Sequence, residues 1–139
     1  MENNRPKVGI GILVLKNGKL LLGKRKNAHG EGQYSTPGGH MEYLESFEEC
    51  AKREVKEETG MEIQNVRFLR VLNLKEYAPK HYVDIGLAAE WKSGEPKVME
   101  PDKCVSWAWY DIDKLPTPLF GTELTKIEAL KTGKNFFDN

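Results

Sequence analysis

The sequence contains little of what marks a secreted or membrane-bound protein. It has two cysteines, Cys50 and Cys104, and their spacing matches neither a metal site nor a disulfide framework. Its longest mostly apolar run, residues 8–15, is far shorter than the roughly 20 residues that cross a bilayer. The first residues, Met-Glu-Asn-Asn-Arg, lack the apolar segment of a secretory signal. We therefore expect a cytoplasmic protein with buried, reduced cysteines and no membrane partner.

An excess of charge of one sign is also missing. The 21 lysines and arginines balance the 21 aspartates and glutamates, so the formal net charge at pH 7 is zero. A protein that binds a nucleic-acid polymer usually has a basic excess or a basic stripe. The balance therefore favours a small-molecule partner, although weakly, and we expect no nucleic-acid polymer. The 139 residues and the hydrophobic fraction of 39% are those of a single globular domain, expected over residues 1–139.

The order of the predicted elements indicates an α/β protein with a mixed sheet. Residues 1–6 are expected to form a frayed tail, and residues 24–40, which are polar and glycine-rich, a long functional loop with a short strand near Tyr34. Strands are predicted over residues 8–15, 20–23, 63–76, 81–91 and 104–110, with turns at Asn17-Gly18 and near Pro79. Helices are predicted over residues 46–59 and 122–131, and the second places Leu124, Ile127 and Leu130 on one apolar side.

The first predicted helix carries the residues that indicate chemistry. Ser46 and Glu49 form a capping box at its start, and Gly60 follows its end. At about 100° per residue, the apolar, inward-facing stripe of the helix continues into its second half as three carboxylates. These residues are Glu54, Glu57 and Glu58.

Three carboxylates in this arrangement are unfavourable unless something compensates them. They repel one another and lie near the negative end of the helix dipole. A bound divalent cation relieves the repulsion, and carboxylate oxygens suit Mg²⁺ or Mn²⁺. The alternative is an acidic, solvated helix, which the favourable pairs Glu48–Lys52 and Glu49–Arg53 support. The helix alone leaves both interpretations open.

The segment around this helix resembles the signature of the Nudix hydrolases. Residues 39–61 read GHMEYLESFEECAKREVKEETGM. The signature is Gly, five residues, Glu, seven residues, then Arg-Glu-apolar-X-Glu-Glu-X-Gly-apolar. The matching residues are Gly39, Glu45, Arg53, Glu54, Val55, Glu57, Glu58, Gly60 and Met61. So many matches at the correct spacing make the signal highly specific. Leu44 departs from the family, which commonly has glycine there.

The resemblance extends over roughly residues 7–120 and is to the MutT-like branch of the family. The segments KHYVDIG, MEPDKC and SWAWYDIDKLPTPLF carry it beyond the signature. Members of that branch are small nucleoside-triphosphate diphosphatases that act on dNTPs with oxidised, methylated or thio-substituted bases. The resemblance implies a Nudix-type α/β/α sandwich with a central mixed sheet, and it makes a homodimer plausible. Residues 121–139 depart from those relatives, which usually have Trp-Pro after the Leu-Phe pair.

The resemblance also implies a metal site. Glu54, Glu57 and Glu58 are expected to hold one or more Mg²⁺ ions with help from the backbone carbonyl of Gly38, and Mn²⁺ is expected to substitute. Either Glu54 or Glu100 is expected to accept the proton of the attacking water. An exposed loop acid without a catalytic role is the alternative for Glu100.

Arg53 is expected to support this site. By resemblance it works with Glu45 and orients a glutamate through a fork-like contact. The alternative is a surface ion pair of Arg53 with Glu49 or Glu57, which would contribute little.

Substrate contacts are expected close to the metal site. Arg25 is the preferred phosphate contact and His40 the second, although residues 24–26 also fit a solvated basic turn. Aromatic side chains stack readily on a nucleobase, but a core role is equally well founded for one of Trp107 and Trp109. The full set of expected substrate-binding residues is Arg25, Gly38, Gly39, His40, Trp107, Leu119 and Phe120.

The expected function is Mg²⁺-dependent hydrolysis of a nucleoside triphosphate to a nucleoside monophosphate and pyrophosphate. Modified and oxidised dNTPs are among the candidate substrates, which would give the enzyme a role in sanitising the nucleotide pool. An alternative keeps the chemistry but changes the substrate to ADP-ribose, dihydroneopterin triphosphate, a nucleotide sugar or a prenyl diphosphate. Another alternative is a non-catalytic, nucleotide-binding Nudix module, although such modules typically lack a signature glutamate and this chain has them all.

Overall fold

The computed structural model describes residues 4–26 and 29–138, so residues 1–3 of the expected tail and residues 27–28 of the expected loop lie outside the described residues. None of the helices in these ranges has the length and apolar character needed to span a membrane. The elements are β1 Lys7–Lys16, β2 Lys19–Arg25, β3 Tyr34–Ser35, β4 Gly38–His40, α1 Phe47–Thr59, β5 Glu62–Leu74, β6 Tyr82–Ser93, β7 Cys104–Asp111, α2 Gly121–Thr132 and β8 Phe136–Asp138.

The strands form a mixed sheet, which confirms the expected class. The strand order is β3-β2-β1-β6-β5-β8, with β4 also paired to β1 and β7 also paired to β2. The pairs β1–β6 and β5–β8 are parallel and the others are antiparallel. Asn17 and Gly18, both with positive φ, form the tight turn that joins β1 to β2.

A helix covers each face of the sheet. Because side chains alternate along a strand, Ile12 and Leu13 of β1 point into separate hydrophobic clusters. The cluster around Ile12 includes Val55 of α1, whereas the cluster around Leu13 includes Ala129 of α2. The expected α/β/α sandwich is therefore confirmed.

The ends of α1 match the prediction closely. Ser46 is the N-cap and forms the capping box with Glu49 in both directions. Gly60 adopts the left-handed conformation with φ 77° and donates its backbone N–H to the carbonyl of Lys56. Leu44, just before the helix, also has a positive φ, which is costly for a residue with a side chain.

The prediction is wrong in detail for the second helix. Leu124, expected on the apolar side of α2, is 62% exposed. Glu123 and Lys126 are buried in its place. They are stabilised by polar partners that lie far away in the sequence, which helical periodicity alone does not reveal. Within residues 24–40, β3 confirms the short strand expected near Tyr34, whereas β4 and the end of β2 lie where a loop was expected.

Candidate active site

A large cleft is lined by residues of β4, of the second half of α1 and of the start of α2. Its volume is about 1220 Å³, which is ample for a nucleotide-sized ligand. The three helix carboxylates line it together with other polar and aromatic side chains. The expected site residues that line the cleft are Arg25, Gly38, Gly39, His40, Arg53, Glu54, Glu57, Glu58, Glu100, Trp107 and Phe120.

Leu119 is placed elsewhere. Among the described residues it packs with the hydrophobic cluster on the α2 face, and it is not part of the cleft lining. Its neighbour Phe120 lines the cleft. The structure therefore brings together every expected site residue except Leu119.

Gly39 and Glu54 are in close contact at the base of the cleft. Glu54 is buried, and a Cβ added to Gly39 would lie 2.5 Å from its Oε2 atom. Any side chain at residue 39 would therefore displace this carboxylate. The pairing of β4 with β1, which sets Gly39 opposite Ile10, fixes the position of Gly39.

Arg53 connects the glutamates of the site. Its Nε lies 2.6 Å from Oε2 of Glu45 and its Nη2 lies 3.0 Å from Oε1, so the contact is a two-bond fork. Its Nη1 donates to Glu54 at 2.7 Å and to Glu57 at 3.2 Å. The hydrogen bonds with Glu45 raise the pKa of Arg53 and lower the pKa of Glu45 to about 2. Arg53 thus combines the expected fork with one of the alternative ion pairs, whereas Glu49 is engaged in the helix cap.

Glu58 is the most perturbed carboxyl group of the site. Its burial raises its pKa to about 9, with further contributions from Glu54 and Glu100. The backbone N–H of Gly38 donates to its Oε2 at 3.1 Å and partly opposes this shift. Burial and the acidic neighbours therefore disfavour the charged form of Glu58 more than the Gly38 hydrogen bond favours it. The expected role of the Gly38 carbonyl stays a prediction.

The carboxylates are not arranged around a single point. Within residues 4–26 and 29–138, no three acidic, histidine or cysteine side chains converge as metal ligands would. Glu57 is 52% exposed and turned towards Arg53. Glu54 and Glu58 remain close enough for Glu54 to raise the pKa of Glu58. Their oxygens are of the kind that Mg²⁺ binds.

Glu100 belongs to the turn before β7. Its backbone carbonyl accepts hydrogen bonds from Lys103 and Cys104, which closes the turn at the edge of the cleft. From there its charge helps to raise the pKa of Glu58. The structure thus places Glu100 near Glu58, and its catalytic role stays a prediction.

Arg25 is held inside the cleft, unlike its neighbours Lys24 and Lys26, which are exposed. Its Nε donates to the carbonyl of His29 at 2.8 Å, and its guanidinium lies 4.0 Å from the centre of the Phe120 ring. Burial lowers its pKa, although nearby acidic side chains oppose this effect. Arg25 therefore does not belong to a fully solvated turn, and its role as a phosphate contact stays a prediction.

The aromatic residues of the cleft differ in their contacts. Trp107 donates its indole N–H to the carbonyl of Glu58 at 3.2 Å and packs closely on Gly23, so it is a fixed part of the wall. Phe120 instead stacks on Tyr77, with ring centres 6.0 Å apart. His40 is exposed and its Nε2 lies 3.1 Å from the hydroxyl of Tyr82.

The sequence did not identify the polar residues of the α2 side. Lys126 donates to Thr36 at 2.8 Å and to Glu123 at 3.2 Å, and all three residues are buried. Asp84 and the fully buried Arg70 form a second ion pair of 2.9 Å. The i,i+3 spacing of Glu123 and Lys126 was the only local signal for these pairs.

Comparisons with known proteins identify relatives of this chain. The family model described as NUDIX domain matches residues 5–130. The NAD-capped RNA hydrolase NudC of Pseudomonas aeruginosa is 35% identical over 105 residues, which cover 76% of this chain and 36% of that protein. The chain thus spans about a third of that relative's length.

Two other curated relatives are covered more fully. An ADP-ribose pyrophosphatase of Methanocaldococcus jannaschii is 33% identical over 119 residues, which are 85% of this chain and 69% of that protein. An oxidized purine nucleoside triphosphate hydrolase of Danio rerio is 30% identical over 106 residues, 76% of this chain and 66% of that protein. Among solved structures, a MutT NUDIX hydrolase from Burkholderia pseudomallei has a TM-score of 0.85 and 35% identity, covering 91% of this chain and 98% of its own.

Proposed function

Because the chain belongs to the Nudix hydrolase family, we propose that it hydrolyses a phosphoanhydride bond in a nucleotide. The favoured substrate is a nucleoside triphosphate, which with one water yields a nucleoside monophosphate and pyrophosphate. The observation that carries this proposal is the position of Glu54 and Glu58, two adjacent carboxyl groups at the base of a nucleotide-sized cleft. A role in sanitising modified or oxidised nucleotides is part of the same proposal.

The donor set fits a divalent cation. Glu54, Glu57 and Glu58 supply carboxylate oxygens, and a bound cation would favour the charged form of Glu58, which burial and the neighbouring Glu54 and Glu100 disfavour. We assign Mg²⁺ to these three residues, with Mn²⁺ as a substitute, and binding would require Glu57 to turn from Arg53 towards the other two. When bound, the metal would neutralise phosphate charge and lower the pKa of a bound water. The chain itself holds Glu54 in place through a hydrogen bond from Arg53. Gly39 leaves room for the carboxylate of Glu54 because it has no side chain.

The remaining residues bind the rest of the nucleotide. Arg25 and His40 are proposed to contact phosphate oxygens, and Phe120 with Trp107 to border the base. Glu54 and Glu100 both remain candidates for the group that accepts the proton from water. A single domain over residues 1–139, a homodimer and a cytoplasmic location stay predictions within this proposal.

ADP-ribose is the second candidate substrate. The relative from Methanocaldococcus jannaschii, named an ADP-ribose pyrophosphatase, matches 85% of this chain. The cleft volume of about 1220 Å³ accommodates a ligand with two sugar moieties. The relatives named NAD-capped RNA hydrolases make capped RNA a substrate to test against the expectation of no nucleic-acid polymer.

A substrate panel tests the proposed function. The panel contains normal and 8-oxo dNTPs, 5-methyl-dCTP, thio-dGTP, ADP-ribose, dihydroneopterin triphosphate, geranyl diphosphate and NAD-capped RNA, each with Mg²⁺ and with products identified by chromatography. We expect monophosphate and pyrophosphate from a nucleoside triphosphate as the fastest reaction. Turnover confined to ADP-ribose or capped RNA would agree with the proposed metal chemistry but would contradict a nucleoside triphosphate as the substrate.

The same panel with two variants separates the enzyme from a contaminant. Glu58→Gln removes a proposed metal ligand, whereas Glu48→Gln changes an exposed glutamate of the same helix that pairs with Lys52. We expect Glu58→Gln to lose activity and Glu48→Gln to retain it. If wild-type protein turns over no compound, the chain is a non-catalytic binding module instead.

A further inference from the structure

Asp84 presents a carboxylate oxygen to the cleft on the side of α2. It lies in β6, paired in register with Gly9 of the parallel strand β1. Its side chain is 14% exposed and lines the cleft. A Cβ added to Gly9 would lie 2.9 Å from Oδ1 of Asp84, so the carboxylate fits against β1 because residue 9 has no side chain.

The other oxygen of Asp84 is fixed by Arg70, which has no exposed surface. Nη2 of Arg70 donates to Oδ2 at 2.9 Å, and Nη1 donates to the backbone carbonyl of Asp84 at 2.8 Å. Arg70 is in turn anchored to α2 by hydrogen bonds to the carbonyl of Thr122 and the hydroxyl of Thr125. Arg70 therefore positions the carboxylate of Asp84 from beneath.

Oδ1 is free to accept a hydrogen bond from a ligand. Within residues 4–26 and 29–138 it accepts none, although the side chain is mostly buried. The nearby ammonium group of Lys126 is already engaged by Glu123 and Thr36. A carboxylate oxygen has no proton to donate to a phosphate oxygen, but it accepts a hydrogen bond from an N–H donor. The phosphate chain thus belongs to the α1 side, and a different part of the substrate belongs here.

The cleft that Asp84 lines also contains aromatic side chains that suit a nucleobase. The stacked rings of Tyr77 and Phe120 are among its lining residues. Aromatic stacking is indifferent to base identity because every base has a π-face. A fixed acceptor is selective, because only some bases carry an amino group at the matching edge.

We propose that Asp84 selects the base of the substrate by accepting a hydrogen bond from an exocyclic amino group through Oδ1. This inference rests on the proposed function, since it concerns the nucleotide that is hydrolysed. Asp84 is a specificity-determining residue and Arg70 a positioning residue. Bases that lack the amino group leave the buried carboxylate oxygen without a partner, which is costly.

Pairs of substrates that differ by one amino group test the inference. The pairs are GTP with ITP, ATP with purine riboside triphosphate, and ADP-ribose with its 6-deamino analogue. For wild-type protein we expect kcat/KM to favour the amino member of one pair by about 10- to 100-fold, the worth of a hydrogen bond to a charged group. Most of the difference should lie in KM, because the contact is distant from the reacting bond.

Asp84→Asn is the principal variant. Arg70 offers only donors, so the amide oxygen of the new side chain should face Arg70 and its NH₂ group should face the cleft. We expect the preference for the amino member to disappear or reverse. Asp113→Asn, the same change at an exposed residue, should leave the preference as in wild type.

Gly9→Ala is the second variant, should Asp84→Asn fail to fold. It leaves Asp84 and Arg70 unchanged but places a methyl group 2.9 Å from Oδ1, so the carboxylate has to shift, and it should also reduce the preference. If each variant changes kcat/KM by the same factor for both members of every pair, the inference is overturned and the proposed function stays intact. Absence of turnover of all six nucleotides, with turnover of another compound of the substrate panel, would overturn the inference alone. Absence of turnover of the whole panel would overturn the proposed function, and the inference with it.

Discussion

The guanidinium of Arg53 donates two hydrogen bonds to Glu45, from Nε to Oε2 at 2.6 Å and from Nη2 to Oε1 at 3.0 Å. This fork leaves Nη1 directed at Glu54, 2.7 Å away. Glu45 precedes α1 and Glu54 lies within it, so one side chain joins the loop to the proposed metal site. The arrangement depends on the planar geometry of arginine, which lysine does not share.

Arg53→Lys should therefore reduce kcat while the protein stays folded. Lysine keeps the charge but cannot hold Glu45 and orient Glu54 together. Loss of a residue that orients a metal ligand typically costs about 10- to 100-fold in activity or metal affinity. Steady-state kinetics and circular dichroism test this, with the exposed Arg67→Lys as the matched control. Activity within twofold of wild type would contradict the orienting role.

Glu45 should also stabilise the fold in a pH-dependent manner. Arg53 lowers its folded-state pKa from about 4.5 to about 2, so its contribution is present above pH 4.5 and is lost as the pH falls towards 2. Urea unfolding between pH 6 and 3 measures this. In Glu45→Gln, we expect the free energy of unfolding to fall less steeply with acidification. Parallel pH profiles for the two proteins would show that the pair does not act in this way.

Leu44 is a site of avoidable strain. It is 84% exposed and has φ 63°, a conformation that costs a residue with a side chain about 1–2 kcal/mol. Glycine avoids this cost but loses roughly 0.5–1 kcal/mol through the entropy of the unfolded chain. We expect Leu44→Gly to raise the free energy of unfolding by about 0.5–1 kcal/mol, measured by urea denaturation. Leu44→Ala, which keeps the Cβ, should give no such gain; equal stabilisation by both changes would refute the explanation.

The buried pair of Glu123 and Lys126 should be strongly coupled. Lys126→Met leaves the carboxylate of Glu123 without its counter-charge, which typically costs about 3–5 kcal/mol of unfolding free energy. In the double variant with Glu123→Gln, much of this loss should be recovered because no buried charge remains unpaired. Thermal and urea unfolding of both single variants and the double variant give the coupling energy. Additive losses would mean that the two residues do not act as a pair.

The sequence predicted α1 well because its signals are local. Ser46 and Glu49 interact across one turn, and Gly60 ends the helix through its own backbone conformation. The signature likewise located the glutamates, since its residues lie within one continuous segment. For these features, the chain around each residue is sufficient to determine its conformation.

The features that the sequence did not predict depend on distant partners. Thr36 and Glu123 are 87 residues apart, so apart from the nearby Lys126 the sequence around Glu123 does not indicate that its carboxylate is satisfied inside the protein. The same holds for Arg70, whose burial requires Asp84 and α2. The strand β8 has three residues and pairs with β5 far earlier in the chain, and so short a segment has no readable periodicity.

The central claim is that carboxylates of α1 bind a divalent cation, and it can be tested without knowledge of the substrate. Mn²⁺ binding, followed by the loss of the free Mn²⁺ signal in electron paramagnetic resonance, compares wild-type protein with Glu58→Gln and Glu48→Gln. The account predicts equal affinity for wild type and Glu48→Gln, and an affinity at least about tenfold weaker for Glu58→Gln. The same Mn²⁺ affinity in all three proteins would contradict it.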